Sequence, residues 1–272
     1  MTIVVCLKSV PLRVEVDALT GHVSTSDAEF GLSPADESAL EWALRLGSAW
    51  SQPVMAVTLG PSRADAVLRT ALACGATSAR RIASDGHLDS DGVARALSAG
   101  FADVGLFVCG DYSLDGGSGS VPAFLAARLA RLQALGLLSI ETLGDGQLRV
   151  VRRLDGGRRE RLTLSTPAVI SVEGGSAALR RAGLAATMAS ARAVIAVDPL
   201  STAATPMHGD PRPLRARPRF RPAPAGDDAL GRVRALLDVG SSTGRSQPIT
   251  ATPAEAADRI VATLTAWGYL PD

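Results

Sequence analysis

The chain has 272 residues, a formal net charge of +1 and 46% apolar residues, enough for one large domain or one domain with an extension. The near-neutral charge argues against nucleic acid or an anionic membrane surface as main partner, since binders of those carry a marked basic excess. No apolar run reaches membrane-spanning length, so direct membrane insertion is not expected. The N-terminus opens on a strand pattern without a signal core, and Cys6, Cys74 and Cys109 lack metal-ligand spacing. Reduced core thiols and a cytoplasmic location are the expectation. Lys8 is the only lysine among the 28 basic residues, a bias ascribed to genome composition.

The first half alternates strand and helix patterns. Residues 2–7 form a continuous apolar strand pattern of the kind covered on both faces. A hairpin follows, with Val14 and Val16 before a turn at 19–21 and Val23 after it. Ser33 can cap a helix whose first position is Pro34, with Asp36 and Glu37 complementing its dipole and Leu40, Ala43 and Leu44 on one apolar face. Strands are predicted at 54–59, 79–82 and 104–109, and helices at 63–74, stopped by Gly75, and at 91–101. This order predicts right-handed βαβ crossovers and a doubly wound, mostly parallel α/β fold, with ligands beyond the carboxyl ends of the strands.

The strand at 104–109 runs into Gly110-Asp-Tyr-Ser-Leu-Asp-Gly-Gly-Ser-Gly-Ser120 and then a helix pattern at 121–129. Strand, glycine-rich loop and helix start in that order can cradle phosphate. Gly116, Gly117 and Gly119 permit positive φ or close backbone approach, Ser118 and Ser120 offer hydroxyls, and Pro122 suits a first helical turn. Read alone, the same loop is equally a flexible connection. Asp115 either orients a ribose hydroxyl or braces its own turn.

After Gly136 short β-segments are predicted at 138–143, 148–154, 161–165 and 168–172, joined by Gly-rich turns as a β meander. Residues 199–224 carry seven prolines and five arginines, the composition of an extended arm or linker. Thr252 to Glu255 has a capping-box pattern and leads into a terminal helix with Ala257, Ile260, Val261, Leu264 and Trp267 on one face. Residues 1–198 are therefore read as the α/β domain and 199–272 as an arm ending in that helix.

The chain resembles the β subunits of electron transfer flavoproteins. The resemblance rests on Val4 to Val10, Ser33 to Leu46, Leu68 to Ala76, Gly110 with Leu114 and Asp115, Leu154 to Gly157 and Thr166 to Ile170, in family order and spacing over residues 2–198. It implies a heterodimer whose α subunit holds most of a redox-active FAD, while the β subunit binds a second adenine nucleotide, either AMP or a second FAD. The implied nucleotide contacts are Cys6, then Ser33, Pro34, Ala35 and Asp36, then Leu59. They continue along the loop through Ser113, Leu114, Asp115, Gly116, Gly117, Ser118, Gly119, Ser120, Val121, Pro122, Ala123 and Phe124. Two departures stand out: Ser33-Pro34 replaces the family's Asn-Pro, and Val121-Pro122-Ala123 replaces polar residues.

Residues 173–192 align with the loop by which such subunits recognise partner dehydrogenases, with Leu184 at the anchoring leucine and Met188 near it. The plain alternative is that Leu184 starts a short helix and packs inward. Glu160 falls near a family glutamate that pairs with the α subunit, or is simply a solvated strand carboxylate. His22, His87 and His208 show no nucleophile or metal partner, and Asp85, Asp89 and Asp91 are better explained by helix capping than by calcium. The expected role is an electron carrier without its own catalytic constellation. The alternatives are a stand-alone adenine-nucleotide sensor of the universal-stress type and, behind it, an adenylate-dependent enzyme of related fold.

Overall fold

The structure, a computed structural model, describes residues 1–85, 88–144, 146–200, 228–237 and 250–270. The chain divides into two units, Met1–Leu214 and Arg215–Asp272.

In the first unit β1 (Ile3–Cys6) is followed by the short strands β2 (Val10–Pro11), β3 (Glu15–Val16), β4 (Val23–Ser24) and β5 (Phe30–Gly31). Then come α1 (Pro34–Trp50), β6 (Val54–Gly60), α2 (Asp65–Cys74), β7 (Ser78–Ala83), α3 (Ser90–Gly100), β8 (Leu106–Gly110) and α4 (Val121–Arg128). The rest is β9 (Leu132–Gly144), β10 (Gln147–Arg153), β11 (Arg159–Ser165), β12 (Ala168–Val172), α5 (Leu184–Arg192) and β13 (Ala196–Pro199). Among the described residues nine strands make one sheet in the order β11-β10-β9-β12-β8-β1-β6-β7-β13. From β9 to β13 neighbours are parallel; β10 and β11 add an antiparallel edge. This is a doubly wound α/β fold.

Its apolar strands are continuous because both faces are covered. Ile3 and Val5 point into a layer with Ala39, Leu40, Ala43 and Leu44 of α1. Val4 points the other way, toward Ala94 and Leu97 of α3 and Leu125 of α4. Leu40, Leu68 and Leu106 are fully buried, so truncating any of them to Ala is expected to cost about 2–5 kcal/mol. The caps lie where the sequence placed them. The Ser33 side chain accepts from the Asp36 N–H at 3.1 Å, Gly75 ends α2 at φ 117°, and Asp89 accepts from the Gly92 N–H at 2.7 Å.

The meander differs from the prediction. Only β9, β10 and β11 form it; β12, expected as its last strand, is wholly buried and lies parallel between β8 and β9. The reason is in its composition: Ala-Val-Ile-Ser-Val has no polar face to show to water, so it is stable only inside the sheet. β9 also begins at Leu132, before Gly136, and β13 was not anticipated.

In the second unit α6 (Ala229–Leu237) was likewise not anticipated, although Asp228 accepts from the Gly231 N–H at 2.6 Å as a cap. α7 (Pro253–Ala266) starts with the expected capping box, Thr252 and Glu255 each bonding the other's backbone N–H. Most of the Pro/Arg-rich arm, with His208 in it, lies outside the described residues, as does His87. Among the described residues no helix is long and apolar enough to cross a membrane.

Candidate functional site

The winding reverses between β1 and β8. From β1 the chain proceeds to β6 and β7 on one side, then returns to β8 and β12 on the other. A crevice at the carboxyl ends of such a pair is where doubly wound sheets bind ligands. Three predicted regions meet at it: Cys6 ends β1, Ser33 to Asp36 open α1, and the 111–120 loop leaves β8. Leu59, near the end of β6, is half-buried beside the same layer as Cys6.

Backbone closeness makes this junction. A Cβ on Gly110 would lie 2.9 Å from Ala35 Cβ, and one on Gly174 would lie 3.2 Å from the Ala35 nitrogen, so α1 starts against bare backbone on both sides. In the loop, Gly117 has φ +61°, a left-handed conformation. Gly119 is required for another reason than expected: a Cβ there would lie 1.7 Å from the Asp111 carbonyl oxygen. Its missing side chain lets the loop close on itself.

Lys8 ties the parts together, and the sequence reading gave it no role. Its Nζ donates to Asp115 Oδ1 at 2.7 Å and to Ser113 Oγ at 3.0 Å, while Ser113 Oγ donates to Asp115 at 2.5 Å. Burial opposes ionisation of Asp115, but the Lys8 and Ser113 bonds outweigh it and hold the carboxyl below its ordinary value. Asp115 therefore braces the loop. The available signal was a sole lysine immediately after a strand pointing into the crevice.

Asp36 is buried, and burial pushes its carboxyl up to about 7, against opposing hydrogen bonds from the Ser33 hydroxyl and the Lys8 backbone. It stands in the first turn of α1, where it was expected to complement the dipole, but it is desolvated there. Cys6 and Cys109 lie in register on β1 and β8, and the contact with Cys6 together with burial raises the Cys109 thiol well above its usual value. Both are free thiols, Cys109 buried and Cys6 partly so.

The α4 start has the features of an anion site. Pro122 is in its first turn, and Ser120 provides no side-chain cap because its hydroxyl is 2.8 Å from those of Ser118 and Ser90. First-turn N–H groups left without that cap suit a phosphate, and Lys8 contacts the loop that leads to them at Ser113 and Asp115. Val121 and Ala123 are half-buried, Pro122 is buried, and Leu114 and Phe124 are exposed. Gly116 and Ser118 lie on the exposed rim and Pro34 is exposed at the helix start. The residues fit an adenine nucleotide's phosphate; nothing polar at 121–123 would read its base.

The 173–192 segment forms a second surface, on α1 and α2. Leu184 opens α5 and is 78% exposed, with Met188 one turn on at 55%. Inward packing of Leu184 is thereby overturned. Glu160 on β11 accepts from Arg152 Nε of β10 at 2.5 Å and is half-buried. Asp89 caps α3 and Asp91 pairs with Arg128 at 2.6 Å, so these acids have structural partners. Among the described residues no group of three or more His, Cys, Asp or Glu side chains could hold a metal ion.

Fold and crevice define a doubly wound α/β protein with its candidate site at the β1/β8 switch point. Residues 20–202 match the family described as electron transfer flavoprotein domain. A FixA protein of Rhizobium meliloti (strain 1021) is 30% identical over 206 residues, which cover 71% of this chain and 70% of the relative. The electron transfer flavoprotein subunit beta of Bradyrhizobium diazoefficiens is 30% identical over 168 residues, covering 61% and 66% respectively. The corresponding subunit of Thermoanaerobacterium thermosaccharolyticum is 29% identical over 177 residues, covering 63% and 67%. The chain belongs to the electron transfer flavoprotein family, on its β-subunit branch.

Proposed function

We propose that this chain pairs with an α subunit that holds most of an FAD, and that the pair carries electrons from a partner dehydrogenase to a downstream acceptor in the cytoplasm. FAD, when bound, supplies the redox chemistry. This chain contributes binding and orientation, without a catalytic constellation of its own.

The crevice at the β1/β8 switch point holds a second adenine nucleotide, AMP or FAD. Lys8 and the first-turn N–H groups of α4 face its phosphate, while Gly117 and Gly119 keep side chains off the loop. Cys6, Leu59 and the Ser33 to Asp36 turn line the remaining side. The single observation that supports this most strongly is the convergence of Lys8, the glycine loop and a helix start lacking its Ser120 cap on one switch point.

Leu184 and Met188 form the docking surface for the dehydrogenase. An exposed apolar pair one helical turn apart gives a small desolvated anchor. Glu160 faces the α subunit from the meander, with Arg152 holding its carboxylate in place. The test is to copurify the chain with its α subunit, denature the complex and identify the released nucleotides. The expected result is one FAD plus either AMP or a second FAD; release of flavin with no second nucleotide bound at the β site refutes the cradle.

A further inference from the structure

α5 has nine residues, and Ser190 alone among them is buried. So short a helix does not hold itself in water, and it buries almost none of its apolar side chains against the rest of the chain. Its position is fixed from its two ends.

On the N-terminal side the segment is fastened to α1. Ser38 Oγ donates to the Ala177 carbonyl and accepts from the Gly175 N–H, both at 3.0 Å, and Trp42 Nε1 donates to Ser176 Oγ at 3.2 Å. Arg180 then grips Glu41: its backbone N–H and Nε donate to Oε2 at 3.1 and 2.9 Å, and Nη2 donates to Oε1 at 3.2 Å. Burial opposes ionisation of Glu41, but bonds from Arg180 and Arg45 outweigh it and keep the carboxyl below its ordinary value.

On the C-terminal side β13, four residues on, pairs with β7, and one residue of α2 holds the helix end itself. Arg69 Nη1 donates to the carbonyls of Ser190 at 2.7 Å, Ala191 at 2.9 Å and Ala193 at 3.2 Å. Carbonyls at a helix end lack intrahelical partners and carry the negative end of the dipole, so a guanidinium there supplies both donors and charge.

We infer that Arg69 is a positioning residue for partner docking: it caps the C-terminus of α5 and so holds Leu184 and Met188 in a preset, outward-facing pair. The inference rests on the docking reading above. Arg69 acts through the helix, by sparing the partner the cost of ordering the segment. If its loss leaves the competent placement populated about one-tenth of the time, the apparent affinity falls about tenfold.

Arg69 is a cleaner probe than Arg180. Removing Arg180 strips a buried carboxylate of its main partner and threatens the fold. Of the three acceptors of Arg69, Ala191 is exposed and Ala193 half-buried, so water can take over those bonds, and Ser190 alone is buried.

The experiment uses the full chain copurified with its α subunit, as wild type, Arg69→Gln, Arg69→Lys, Leu184→Ala and the Arg69→Gln/Leu184→Ala double variant. Hydrogen exchange of amides 184–193 and the melting temperature are measured on each. KM and kcat are measured with the flavin dehydrogenase of the source organism that reduces the wild-type heterodimer. Arg69→Gln should speed exchange over 184–193 and raise KM about tenfold with kcat and melting temperature unchanged, and Arg69→Lys should recover part of both. The double variant should show less than the sum of the single effects, because a misplaced helix has already lost its anchor. If Leu184→Ala raises KM while Arg69→Gln leaves KM and exchange at wild-type values, the inference is overturned and the docking reading stands. If neither variant changes KM, the docking reading fails and takes the inference with it. A large fall in melting temperature in Arg69→Gln, with no recovery of KM in Arg69→Lys, would assign Arg69 to the fold alone and overturn the inference.

Discussion

Asp36→Asn should make the protein more stable at neutral pH and remove one component of its pH dependence. The carboxyl is buried, and burial pushes it up to about 7 from the ordinary 3.8, outweighing the bonds from Ser33 and the Lys8 backbone. Between those two values the native state holds a proton that the unfolded chain has released, so stability falls as pH rises through this window and levels off above it. The full span corresponds to a penalty of up to about 4 kcal/mol on the ionised native state. An amide has the same shape, can still accept from the Ser33 hydroxyl and carries no charge to desolvate. Other groups titrate in both proteins, so the informative quantity is the difference in unfolding free energy between variant and wild type, from urea melts at intervals between about pH 4 and pH 8.5. That difference should be near zero at the acid end and grow to favour Asn above pH 7. A difference that stays flat with pH, or that favours Asp at high pH, would show that Asp36 is ionised throughout and that its burial is offset.

Gly119→Val should displace the loop, since even a Cβ would lie 1.7 Å from the Asp111 carbonyl oxygen; the β-site nucleotide should be lost on gel filtration while α-held FAD stays, and retention of both would disprove the required close approach. Lys8→Gln removes the cation beside Asp115, so nucleotide affinity measured by calorimetry should fall and lose part of its salt dependence; an unchanged affinity would remove Lys8 from the cradle. Leu184→Ala should spare folding, because the side chain is 78% exposed and little of its roughly 1.5–3 kcal/mol burial value is realised in the free chain. Electron transfer from the dehydrogenase should weaken about tenfold, and unchanged transfer would eliminate it as the anchor.

Local chemistry was legible at most places where a residue type acts on its immediate neighbours, the Asp228 cap of α6 apart. Ser33 and Pro34 start α1, Gly75 stops α2 in a left-handed conformation, and Thr252 with Glu255 closes a capping box. Each is decided within four residues. What escaped depends on partners far along the chain. β12 reads as one more short strand after Gly-rich turns, and only pairing with β8 and β9 places it inside the parallel sheet. β9 runs through Gly136 at φ +66°, a residue that reads locally as a stop. The same holds at the site. The loop was evident from its glycines, but the need for Gly119 arises from the Asp111 backbone, and the role of Lys8 from contacts more than 100 positions away. Leu184 could be aligned, yet its exposure depends on how Arg180 and Arg69 fasten the segment to α1 and α2.

The most direct test of the central claim is the nucleotide content of the copurified heterodimer, compared between wild type and Gly119→Val. The wild-type complex should release one FAD and one further adenine nucleotide per heterodimer, and the variant should release the FAD alone. A wild-type complex that releases no second nucleotide, or a variant that releases both in full, would contradict a nucleotide site at the β1/β8 switch point.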